Sequence, residues 1–127
     1  MIATFLIALT LVGCSAASAW PAVLIRSCYD GDTCTTTTGE KVRLACIDTP
    51  ELRGRNSDPD PAKAARDYLR SRLKGKAITI RRIDTDRYGR TVAELFADGA
   101  NVQEQLVASG HAEIYRRYAK PCVWANK

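Results

Sequence analysis

The chain has 127 residues, enough for one domain with a real core and too few for two. Its formal net charge is +5 and no charged residue precedes Arg26, so the segment from there onward carries the whole excess. A basic domain makes polyanions its natural partners, whereas the longest apolar run, Ile2 to Gly13, is twelve residues and falls short of the roughly 20 that a bilayer-spanning helix needs.

That run reads as the h-region of a signal peptide. Residues 1–19 are expected to be the leader and residues 20–127 the mature domain. Two processing patterns compete. Ala17-Ser18-Ala19 ahead of Trp20 is a small-x-small cleavage site, whereas Leu11-Val12-Gly13-Cys14 resembles a bacterial lipobox, in which a lipid on Cys14 would attach the protein to a membrane. The lipobox takes precedence, although Met1-Ile2-Ala3-Thr4 lacks the usual basic n-region. A frayed or buried N-terminal helix is the structural alternative. The expectation is an exported protein, secreted, periplasmic or lipid-anchored to the bacterial envelope.

From Ala22 to Ile47 the chain is rich in β-branched residues and is punctuated at Asp30-Gly31-Asp32 and Thr38-Gly39, which predicts three strands joined by two tight turns. Setting Cys14 aside leaves Cys28, Cys34, Cys46 and Cys122, an even number in a segment read as exported, where disulfides form. Three connectivities are open. Cys28, Cys34 and Cys46 crowd the paired strands, so one bridge is expected among them. A zinc site is disfavoured by irregular spacing and a single histidine, His111.

Arg53 to Asp60 is polar and reads as a surface loop. Asp60 followed by Pro61 predicts a helix start, and Ala65, Tyr68, Leu69 and Leu73 give that helix an apolar face before Gly75 ends it. Two further strands are expected over Lys76–Ile83 and Arg90–Ala97. Asn101 with Glu104 approximates a capping box for a second helix, which buries Val102, Leu106 and Val107 and stops at Gly110. The tail from His111 is ambiguous. Five strands and two helices point to an α+β, mainly β domain built as a five-stranded OB-like barrel, with an open α+β sheet as the alternative and any C-terminal helix short or missing.

Asp30, Asp32, Asp48 and Glu51 gather at strand ends within a 22-residue stretch of a basic protein. Clustered carboxylates repel one another unless a cation sits among them, and hard divalent ions take such oxygen ligands. The bland alternative is that Asp30-Gly31-Asp32 is only a turn. Arg43 and Arg90 supply planar forks that grip phosphate through paired hydrogen bonds, although any one arginine is by default a solvated surface group.

Asp30-Gly31-Asp32-Thr33, Val42-Arg43-Leu44, Ile47-Asp48-Thr49-Pro50-Glu51 and Thr85-Asp86-Arg87-Tyr88-Gly89-Arg90 follow one another in an order and spacing that resemble the staphylococcal nuclease-like (thermonuclease) family. Ala97-Asp98-Gly99, Leu106-Val107 and Gly110 extend the similarity over about residues 22–118. The resemblance implies an OB-fold barrel whose Ca²⁺ is held by Asp32, Asp48 and the backbone carbonyl of Thr49. Glu51 would be the general base that activates water. Arg43 and Arg90 would bind the scissile phosphate, with Arg90 also assisting the leaving oxygen. Tyr88 would line the substrate pocket, with Arg87 and Tyr118 as further substrate contacts and Asp30 supporting the turn. The implied reaction is hydrolysis of DNA or RNA to a 3′-phosphate end by a monomer. Arg116 stands where the family's better-known member has an aromatic residue, and only nine residues follow Tyr118, where the family usually adds a helix.

Two other readings compete. An OB barrel can hold single-stranded nucleic acid on a basic, aromatic groove without cutting it, but the set Asp32, Asp48, Glu51, Arg43 and Arg90 exceeds what binding needs. A disulfide-stapled structural domain would explain the cysteines and leave that set without a purpose.

Overall fold

The computed structural model describes residues 19–127, so Cys14 and all of the proposed leader but Ala19 lie outside the described residues. The chain enters a sheet through β1 (Ala22–Val23) and β2 (Ile25–Cys28), which are separated by Leu24 alone. β2 forms a hairpin with β3 (Thr33–Thr36), and β3 forms another with β4 (Lys41–Leu44). β6 (Ile78–Thr85) and β7 (Thr91–Ala97) make the long hairpin, β7 lies parallel to β4, and β1 pairs with β6. The path β1-β6-β7-β4-β3-β2 therefore begins and ends on the same bent strand. Counted that way, five strands curl into a barrel, as the sequence pattern predicts.

Apolar positions of period two fill the barrel: Val42 and Leu44 from β4, Ile78 and Ile80 from β6, and Ala93 and Leu95 from β7 are all fully buried. Helix α1 (Pro59–Leu73) adds Ala62, Ala65, Leu69 and Leu73, spaced so that one stripe faces the core. The helix starts earlier than the sequence suggested, with Asp58 at the N-cap instead of Asp60. Both prolines, Pro59 and Pro61, fit inside the first turn, where their missing N–H groups have no helical partner to lose. Asp60 is left in that turn beside the positive end of the helix dipole.

Helix α2 (Val102–Ala108) is capped as predicted: the Asn101 side chain accepts the Glu104 N–H at 3.0 Å. Its buried Gln103 accepts the Leu95 N–H at 3.1 Å and donates to the Ala93 carbonyl at 2.9 Å, bonding the helix to β7. Two-residue strands complete the frame. β8 (Ala100–Asn101) folds back on β7 through Asp98 and Gly99, both at positive φ, and β5 (Ile47–Asp48) pairs with β9 (Glu113–Ile114).

The tail forms two single 3₁₀ turns, Arg116–Tyr118 and Val123–Asn126, with no third α-helix among the described residues. A disulfide from Cys122 to Cys46 fastens it to the barrel, and Cys28 joins Cys34 directly across the β2–β3 hairpin. One bridge within the strand region was expected, and it is present. No described helix is long and apolar enough to cross a membrane.

Candidate functional site

The turn between β2 and β3 is held by its own carboxylates. Asp30 accepts the Asp32 N–H at 3.0 Å, Asp32 accepts the Thr33 hydroxyl at 3.1 Å, and the Leu44 N–H donates to the Asp32 carbonyl at 2.8 Å. Space, not dihedral freedom, demands glycine at position 31. A Cβ there would lie 2.8 Å from the Ala65 Cβ of α1 and 3.0 Å from the Thr49 Cγ2. The turn is thereby wedged between α1 and the chain after β5. Asp32 is only 7% exposed, and that burial pushes its carboxyl up from its ordinary 3.8 to about 6, against the pull of Arg43 and with a further push from Asp30.

Arg43, on β4, reaches across this corner. Its Nη1 donates to the Leu44 carbonyl at 2.7 Å and its Nη2 to the Ile47 carbonyl at 3.0 Å, which fixes the guanidinium plane. The same Nη2 lies 3.4 Å from Asp32 Oδ2 and 3.9 Å from Asp48 Oδ1. Between β4 and β5 the chain turns through Cys46 at a φ of 69°, a left-handed conformation uncommon outside glycine. That turn carries Asp48 toward Asp32, and the Asp48 carboxylate accepts the Thr49 N–H at 3.1 Å.

Glu51 follows on the loop before α1, exposed to solvent. Arg90 enters from the turn between β6 and β7, where Asp86 accepts its Nε–H at 2.8 Å and its backbone N–H at 3.0 Å. Asp32, Arg43, Asp48, Thr49, Glu51 and Arg90 all line one cleft of about 270 Å³. The sequence brought five of those side chains together in advance. It missed Tyr29 and Arg53, which also line the cleft. Their signal was adjacency alone: Tyr29 precedes the Asp30 turn and Arg53 follows Glu51 by two residues.

Tyr88 and Arg87 stand at the edge. The Arg90 guanidinium lies 5.4 Å from the exposed Tyr88 ring, and Arg87 donates to the Tyr88 hydroxyl at 2.7 Å. Tyr118 is not among the residues lining the cleft. It packs edge-on against Tyr115 at 5.0 Å, and both rings are exposed. Arg116 turns away to donate to the Ala125 carbonyl at 3.1 Å, securing the tail. A larger cavity of about 830 Å³ lies elsewhere, against Trp20, Phe96 and Trp124. Its charged lining is Arg81, Glu94, Glu104 and Lys127, with Arg81 already paired to Glu94 at 2.8 Å, whereas the smaller cleft gathers four carboxylates and three arginines.

Among the described residues no three acidic, histidine or cysteine side chains converge to hold a metal ion on their own. A cation between Asp32 and Asp48 would draw on two carboxylates, the Thr49 carbonyl and water. Those are hard oxygen donors of the kind that Ca²⁺ and Mg²⁺ take. The buried Asp32 with Asp30 beside it holds negative charge that Arg43 offsets only in part, so the residues fit a divalent ion.

The staphylococcal nuclease homologue family matches residues 41–126, a span that takes in Arg43, Asp48, Thr49, Glu51 and Arg90. The chain is 34% identical over 93 residues to an Escherichia coli O157:H7 protein named "Uncharacterized endonuclease", covering 70% of this chain and 58% of that one. It is 37% identical over 78 residues to the "Probable staphylococcal-like nuclease CAN1" of Oryza sativa subsp. japonica, covering 61% and 22%. With the "Staphylococcal-like nuclease CAN1" of Arabidopsis thaliana it shares 32% identity over 90 residues, covering 68% and 26%. The chain thus spans 58% of the length of the bacterial relative and less of the plant ones. By the extent of that match and the barrel that bears it, the chain belongs to the staphylococcal nuclease homologue family.

Proposed function

We propose that this domain is a nuclease that hydrolyses phosphodiester bonds in DNA or RNA, with calcium as its divalent ion and a 3′-phosphate end as its product. The convergence of Asp32, Asp48, Glu51, Arg43 and Arg90 on one cleft is the observation that carries the reading.

In this reading Asp32, Asp48 and the Thr49 carbonyl hold the ion, which when bound withdraws charge from the phosphate and lowers the pKa of nearby water. Glu51 accepts the proton of the attacking water. Arg43, its plane set by two carbonyls, and Arg90, set by Asp86, donate hydrogen bonds to the non-bridging oxygens as charge builds on them. Arg90 also assists the departing 5′-oxygen. Tyr88, Arg87 and Tyr118 contact the flanking nucleotide. The molecule acts as a monomer.

Export is part of the proposal. Two disulfides, Cys28–Cys34 and Cys46–Cys122, support folding in an oxidising compartment. Mass spectrometry of the mature N-terminus separates cleavage before Trp20 from a lipid on Cys14.

The direct test is degradation of single-stranded DNA and RNA by residues 20–127, with calcium and then with excess chelator. Glu51→Gln serves as the matched variant, expected to keep its fold and lose about 10²- to 10⁴-fold in rate. Cutting that requires calcium supports the proposal. A folded protein that binds either nucleic acid and leaves it intact under both conditions is a binding module instead.

A further inference from the structure

A third, basic cavity lies between β2 and the C-terminal end of α1, with a volume of about 400 Å³. Three of its lining residues, Arg26, Arg70 and Lys74, are cations, Ser27 and Ser71 add hydroxyls, and no acidic residue lines it. Like charges lining one cavity repel one another, so the arrangement favours an anion.

The backbone builds this cavity deliberately. β2 pairs Ile25 with Thr36 and Ser27 with Thr35, so Arg26 is the extra residue of a β-bulge. Bulges re-aim a side chain out of the regular alternation, and the Arg26 side chain is exposed and engages no group among the described residues. Arg70 donates through Nε and Nη2 to the Cys28 carbonyl at 3.1 and 2.8 Å. That fork locks α1 to the end of β2 and leaves Nη1 for another acceptor. Lys74 caps α1 with its ammonium exposed.

The cavity and the cleft described above share one strand. Cys28, which lines the cavity, is followed by Tyr29, which lines the cleft, and Arg26 lies three residues back, roughly 10 Å at about 3.3 Å per residue. We propose that Arg26, Arg70 and Lys74 form a phosphate subsite that holds the backbone of a nucleic-acid strand a few nucleotides from the bond being cut. The proposal rests on the nuclease reading for the strand's direction of approach, while the binding it describes stands apart from cleavage. A strand engaged at both places spans a length within the roughly 4–16 nucleotides that an OB barrel accommodates.

The experiment uses residues 20–127 carrying Glu51→Gln, so that a single strand of about 16 nucleotides is bound without turnover. Affinity is measured from about 50 to 200 mM salt with and without Arg26→Gln/Lys74→Gln, and a second double variant, Lys120→Gln/Lys127→Gln, removes the same charge elsewhere. Each phosphate contact on a single strand contributes about 0.7 to the slope of log affinity against log salt. The subsite variant is therefore expected to lower that slope by about 1.4, well beyond the control. Lys74→Gln alone, at an exposed helix end, should give half of it.

In the Glu51 background the ratio of kcat/KM for the long strand to that for a dinucleoside monophosphate should also fall. A slope that moves no more than the control's overturns the subsite even if the parent protein cuts both substrates. A slope that moves as expected in a protein that cuts neither supports the subsite and sinks the nuclease reading. Loss of binding to anionic phosphatidylglycerol vesicles with strand binding unaltered overturns it in favour of a membrane contact.

Discussion

Arg43 Nη2 lies 3.4 Å from Asp32 Oδ2 while it also donates to the Ile47 carbonyl, so one guanidinium nitrogen links the buried carboxylate to the strand that leads into Asp48. A lysine in that position would keep the charge and lose the paired geometry. Arg43→Lys is expected to fold, to lose about 10²- to 10³-fold in kcat as a displaced transition-state donor does, and to lose about 1 kcal/mol of stability for the forfeited carbonyl bonds. Steady-state kinetics beside a urea melt checks both. A kcat within a fewfold of the parent would remove Arg43 from the chemistry.

Gly31 predicts a mixed effect. An added methyl meets Ala65 at 2.8 Å, and two backbones would have to part to admit it. Gly31→Ala should cost about 1–3 kcal/mol, as overpacking generally does, and should weaken calcium affinity, measured by titration calorimetry, because Asp32 moves with the turn. Stability and affinity both at parental levels would mean that α1 yields freely there.

The two disulfides should differ in worth. Cys46–Cys122 closes a sequence separation of 76 and Cys28–Cys34 one of 6. Loop-closure entropy then assigns roughly 4–5 kcal/mol to the first and roughly 2 to the second. Paired serine replacements followed by denaturant unfolding should rank them in that order. The reverse order would mean that the hairpin bridge acts on the native state and not on the unfolded chain.

Glu40 sets an acid limit. Its carboxylate takes two hydrogen bonds from Arg82, at 2.8 and 2.7 Å, and one from the Thr91 hydroxyl at 2.7 Å, and the Arg82 bond foremost holds its pKa below the ordinary 4.5. A depressed folded pKa contributes stability that is fully present above the unfolded value and is lost as pH falls through the folded one. Thermal melts should therefore show Glu40→Gln costing up to about 1 kcal/mol at neutral pH, the range of an exposed pair. The difference from the parent should close below pH 4.5. A gap that persists in acid would trace the effect to packing.

Much of this architecture was legible because strands and helices announce themselves by period. Val42 and Leu44, Ile78 and Ile80, and Ala65, Leu69 and Leu73 all fall where alternation or a helical stripe puts them. The site was legible for a related reason. Asp32, Asp48, Arg43 and Arg90 belong to ordered motifs whose resemblance to the family implied that they meet, and they line one cleft. What stayed hidden depends on distance in three dimensions. The Cys46–Cys122 pairing needed the path of the tail, and nothing in the sequence marked Gln103 as the buried link between α2 and β7. Gly31 passed for a turn glycine, although its φ is not positive and the neighbour that requires it is Ala65, on another element. The start of α1 was misplaced because two Asp-Pro pairs offered the same local signal.

The parallel pairing of β4 with β7, Val42 against Thr91 and Leu44 against Ala93, carries a consequence for biosynthesis. Two strands that run the same way cannot be joined by a tight turn, so everything from Ala45 to Arg90 must be looped around before β4 finds its neighbour. Arg43 and Arg90 cannot face one cleft while β7 is still inside the ribosome, and the Cys122 anchor emerges later still. The two arginines of the proposed site therefore come together late in synthesis, only once β7 has emerged and paired with β4.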